Sequence, residues 1–168
     1  MVGEPDLKQL ENLAKGEGDI WHSSLDQGYK NLFPEIVYQT AVFFWYARDF
    51  NNLDTTISWR LNPTQFAIRK KVWDQLTHWD DDFNGADTKA LDYAYNALRN
   101  YGAIPLYVKG LFVENEQESP RITKEDRYLF YIKNFKKSHG YYMLFRKGIY
   151  KMKEWRALLL YIQHFFRK

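Results

Sequence analysis

Four carboxylates stand within nine residues in WDDDFNGAD at 79–87: Asp80, Asp81, Asp82 and Asp87. Three adjacent carboxylates repel one another, so residues 80–82 belong on a solvated loop or beside a cation. Asp87, set apart by Asn84 and Gly85, stands where a helical pattern begins. A carboxylate has two uses there. It can cap the helix by accepting from its orphan N–H groups, or it can face a cleft and take a proton from a hydroxyl as a general base. Trp59 and Trp79 lie nearby in sequence and have rings able to stack against a sugar. His22, His78, His139 and His164 show no ligand spacing, and the absence of cysteine removes thiolate nucleophiles, disulfides and cysteine-bound metals. No phosphate-cradling glycine-rich motif is present.

The elements that must position these carboxylates follow from periodicity. QFAIR at 65–69 is a short apolar run of strand type, and 70–76 has the length of about two helical turns. After the acidic loop, Leu91, Ala94, Tyr95, Leu98 and Tyr101 recur at helical spacing, and Gly102 supplies a helix stop. A second strand then runs to Val108. Upstream, Leu7, Leu10, Leu13 and Ala14 predict a helix over 5–15 with Pro5 in its first turn. Strands are predicted at 19–24 and 57–61. The segment 32–50 is apolar almost all round, as a buried or partner-facing helix would be. Downstream, Gly110 marks a turn. ENEQES at 114–119 reads as a polar loop in which Glu114 could ligate a hard cation. Thr123 and Asp126 form a capping-box pattern opening a helix.

In order and spacing, 62–108 resembles the C-terminal half of the catalytic domain of family 2 glycosyltransferases, which have the GT-A fold. FAIRK at 66–70, WDDDF at 79–83 and GADT at 85–88 carry the likeness, with Thr77 and His78 in place of a glycine pair and Ala86 in place of a glutamate. Ser119, Tyr128, Tyr131, Lys133 and Asn134 extend it toward the C-terminus. The resemblance implies an α/β fold: a partial GT-A-like domain over 1–113, a short mixed sheet packed by helices, then a basic, aromatic-rich helical extension over 114–168. It implies inverting transfer of a sugar from a nucleotide-sugar donor to a sugar or lipid-linked hydroxyl acceptor in polysaccharide or glycolipid synthesis. Asp87 would be the catalytic base. Asp80, Asp81 and Asp82 would line the cleft, with Trp59 or Trp79 stacking against substrate. A divalent metal, Mn or Mg, is expected of the complete enzyme, on residues of an N-terminal nucleotide-binding half whose D-x-D motif does not precede the first helix and strand here. The chain alone would then be inactive, a truncated or split form. The competing reading is a non-catalytic, membrane-peripheral or assembly module on a degenerate transferase scaffold.

Aromatic residues make up 18% of the 168, more than one core requires, which suits sugar stacking or a membrane interface. Charge is divided unevenly: 121–168 holds thirteen Lys and Arg against three Asp and Glu, while the remainder is acidic. That tail is expected to meet an anionic surface. Because its aromatics fall at helical spacing beside leucines, no nucleic acid partner is expected. No apolar run reaches the roughly 18–20 residues that span a bilayer. The expected location is the cytoplasm, with the tail at the inner face of the membrane.

Overall fold

A computed structural model describes residues 3–16, 18–23, 53–76, 78–113 and 121–135, together with Leu159, Ile162 and Gln163. The predicted helix at 32–50, the loop at 114–119 and most of the basic tail lie outside the described residues.

The elements are α1 (Leu7–Lys15), β1 (Ile20–His22), β2 (Thr55–Ile57), β3 (Phe66–Ile68), α2 (Lys70–Gln75), α3 (Ala86–Tyr101), β4 (Pro105–Val108) and α4 (Lys124–Asn134). The four strands form one mixed sheet in the order β2-β4-β1-β3. β1 runs parallel to β4, with Trp21 opposite Leu106, and antiparallel to β3, with Trp21 opposite Ala67. β2 closes the far side antiparallel to β4. A parallel pair needs a crossover between its strands, and here α2 and α3 lie on that path.

Strand alternation divides the core into two layers. On one face, Trp21, Ala67, Leu106 and Val108 meet Leu10 and Leu13 of α1. On the other, Ile20 and Phe66 join Leu91, Ala94 and Tyr95 of α3 with Phe130 and Tyr131 of α4. α1 starts one residue after Asp6, whose side chain accepts from the N–H groups of Lys8 and Gln9 (3.0 and 3.1 Å). Pro5 therefore precedes the cap instead of sitting in the first turn, and it bridges to Phe112. The arginine of FAIRK, Arg69, clamps the turn before β1: its Nε donates to the Gly18 carbonyl at 2.9 Å, and its guanidinium lies over Trp21. Gly18 has φ +100°, and a Cβ there would come within 2.5 Å of Leu106. Gly102 ends α3 in the left-handed conformation at φ +68°, as its position predicts.

Helix α4, which lies in the expected extension over 114–168, packs against the core built on the sheet. Phe130 stacks on Trp59 at 5.9 Å with an interplanar angle of 10°, and Phe135 stacks on Tyr95. α4 belongs to the same packed unit as the sheet. Among the described residues, no helix is long and apolar enough to cross a membrane.

Candidate functional site

The acidic loop, α3 and α4 converge at two places. The first is the entry to α3. Its N-cap is Gly85, which has no side chain with which to cap. Asp126 of α4 supplies the carboxylate instead. Its Oδ1 accepts from the backbone N–H of Asn84 (3.0 Å), and its Oδ2 accepts from the N–H of Gly85 (2.8 Å) and the hydroxyl of Thr88 (3.3 Å). Asp126 is 1% exposed, and its charge sits at the positive end of the α3 dipole. The capping box of α4 is thus half made. Thr123 accepts from the Asp126 N–H, while the Asp126 side chain turns to a different helix. Asp87, in the first turn of α3, does not cap its own helix either. Its Oδ2 accepts from the backbone N–H of Arg121 at 2.9 Å and so pins the chain entering α4.

The second place lies where the end of α4 meets the acidic loop and the middle of α3. Lys133 donates to Asp80 Oδ2 and Asp82 Oδ2 at 2.5 and 2.6 Å. Burial works to lower the Lys133 pKa, but the two aspartates outweigh it and raise it. Asp81 points away to Lys89 at 2.8 Å, which lowers its pKa. Mutual repulsion is therefore relieved by two lysines, the cationic arrangement that three adjacent carboxylates require. Next to this group, Asp92 is buried inside α3. Its Oδ1 accepts from the Asn134 amide and its Oδ2 from the Asn96 amide. Burial raises the Asp92 pKa against the opposing effect of Asn134. A group of this kind can hold a proton at higher pH than an exposed aspartate. Asp80 and Asp92 line one cleft of about 200 Å3 with His78, Tyr93, Asn96 and Asn100.

The predicted site residues thus fall in different environments. Asp80 lines the cleft, Asp82 shares its lysine, and Asp81 lies outside, fully exposed. Asp87 sits at the other convergence. Trp79 is half-buried against Phe66 and Tyr93. Trp59 is a correction to the stacking expectation: at 1% exposure, packed by Tyr95 and Phe130, it has no ring face for a ligand. Asp92 and Asn96 were not among the expected residues. Their signal was present in the sequence: Asp92, Asn96 and Asn100 form a polar stripe at four-residue spacing on a helix that is otherwise largely apolar.

Asp80 and Asp82 surround an ammonium, and among the described residues no group of three or more His, Asp or Glu side chains converges as a metal site. No protein-family model, curated protein or solved structure matches the chain.

Proposed function

We propose that this chain is the acceptor-side half of a family 2-like, inverting glycosyltransferase. It would act with a nucleotide-binding half that holds the nucleotide sugar and its divalent metal. The observation that carries the reading is a contact between its two motif-bearing stretches. The acidic loop and the Y-x-x-Y-x-K-N run at 128–134 lie 51 to 53 residues apart at their ion pairs, yet Lys133 holds Asp80 and Asp82. Asn134 holds Asp92 in the same way. The order of strand, short helix, acidic loop, glycine-terminated helix and strand supports it as well. In this reading Asp87, partly exposed on the first turn of α3, takes the proton of the acceptor hydroxyl.

The test is Asp87→Asn in the enzyme reconstituted with a nucleotide-binding half. General-base catalysis is worth about 10²–10⁴-fold, and turnover should fall by that order while the fold persists. Asparagine keeps an oxygen able to accept from Arg121 N–H, so a purely structural Asp87 would leave turnover within a few-fold of the parent.

A second reading, a non-catalytic scaffold, draws on one specific observation: all four carboxylates of the loop have structural partners. Asp80 and Asp82 bind Lys133, Asp81 binds Lys89, and Asp87 binds the Arg121 backbone. Unchanged turnover in the same experiment would favour it.

A further inference from the structure

Two clefts meet at one exposed ring. The first is the acidic one described above, of about 200 Å3. The second, of about 190 Å3, lies along α2 and is lined by Asp19, Arg69, Lys71 and Gln75. Leu76 and Tyr101 line both clefts. Tyr101 was expected on the apolar face of α3. Instead, at the last residue of the helix, its side chain is 54% exposed. An aromatic residue more than half exposed between two polar clefts leaves apolar area for a ligand to cover.

The polar groups around it specify what that ligand is. Asn100 donates to Asn96 Oδ1 at 2.7 Å, and Asn96 donates to Asp92, so the α3 stripe is a fixed ladder of amide and carboxylate groups. Asp80 beside it is held in place by Lys133. Carboxylates and amides spaced in this way take the paired hydroxyls of a sugar, while the apolar C–H face of the sugar covers an aromatic ring. Neither lysine nor arginine is among the described residues that line the first cleft, so a phosphate there would lack a cationic partner. A separate observation points to an unfilled polar requirement in the same wall. Tyr93 is 6% exposed, and its hydroxyl has no hydrogen-bond partner among the described residues. Buried hydroxyls are nearly always paired.

We infer that the paired clefts form one groove for a neutral oligosaccharide of two or more units. Tyr101 stacks beneath one ring, and Asp80, Asn96 and Asn100 take hydroxyls of its neighbour. That this saccharide is the acceptor of the transferase rests on the preceding proposal; the binding itself does not.

The full chain is titrated with cellotriose, maltotriose and chitotriose as probes, by calorimetry and by ligand-observed NMR, with inorganic phosphate as the comparator. At least one trisaccharide should bind at millimolar concentration or tighter, and phosphate should not compete with it. Tyr101→Ala should weaken binding about tenfold, and Asn100→Ala by a similar factor, the effect of losing roughly one good contact. Both side chains are exposed, so both variants keep the fold. Failure of all three probes to bind, displacement by phosphate, or unchanged affinity in Tyr101→Ala would each overturn the groove. The assay uses no nucleotide sugar and no turnover, so its failure leaves the transferase proposal to the Asp87→Asn experiment, and the reverse holds too.

Discussion

His22 shows how far burial alone can move one side chain. Its ring is fully buried at the end of β1, and Nε2 lies 2.8 Å from the Ser58 carbonyl. A carbonyl can only accept, so Nε2 carries the proton and donates it. Nδ1 is then bare, and it has no partner among the described residues. Burial lowers the His22 pKa from 6.5 to about 4, the Ser58 bond opposes this, and the nearby Arg60 charge adds to it. Between those values the unfolded chain binds a proton that the folded chain does not. Stability should therefore rise with pH across this window and be lost as pH falls from 6.5 to about 4. The full effect is on the order of 3 kcal/mol. Urea unfolding at a series of pH values measures it. His22→Gln, which keeps an N–H for Ser58 but does not titrate, should flatten the slope.

At the scale of elements, the entry to α3 depends on another helix. Gly85 gives the chain its turn into the helix, and the carboxylate that fixes this turn comes from Asp126 on α4. Asp126→Ala would leave the Asn84 and Gly85 N–H groups and the Thr88 hydroxyl without their acceptor. Thr88 is buried, and leaving its hydroxyl unsatisfied costs about 1–3 kcal/mol; the Asn84 and Gly85 N–H groups, exposed and partly exposed, add the loss of an ordinary cap. Amide exchange should accelerate first at residues 84–89, at the N-terminal end of α3, before the sheet is affected. Protection falling uniformly across the chain would show that Asp126 supports the whole core and not this one junction. The pairing also explains why the α4 capping box is incomplete. The Asp126 carboxylate serves the α3 start, where four donors converge: the Asn84 N–H and side-chain amide, the Gly85 N–H and the Thr88 hydroxyl.

At the scale of the molecule, α4 joins the two halves of the chemistry. Phe130 is wholly buried and touches Trp59, Tyr95, Tyr131 and Phe135. Phe130→Ala should cost about 3–5 kcal/mol, the range for deleting a buried aromatic ring. It should also red-shift tryptophan emission, because Trp59 loses its stacked cover. A change below about 1 kcal/mol would show that the packing of α4 contributes little to the stability of the core. The same packing brings Lys133 to the acidic loop and Asn134 to Asp92 of α3, and the candidate site therefore exists only when α4 is docked.

Much of the local structure was legible from residue order. The periodicity of Leu91, Ala94 and Tyr95 with Gly102 behind it located α3, and the short apolar runs located β1, β3 and β4, because helix and strand periods are local properties of the chain. The crowding of Asp80, Asp81 and Asp82 dictated a cationic or solvated setting for the same reason: repulsion between neighbours needs no tertiary information. Only the folded molecule decided which cation each would meet, which carboxylate would fix the start of α3, and that Trp59 would face the core while Tyr101 faced water. Apart from Asp81 with Lys89, eight positions away, those outcomes rest on contacts between residues about 40 to 70 positions apart, as in Asp126 with Gly85 and Phe130 with Trp59. Composition and spacing give each such residue its chemistry, but its partner is set by how the sheet and helices pack.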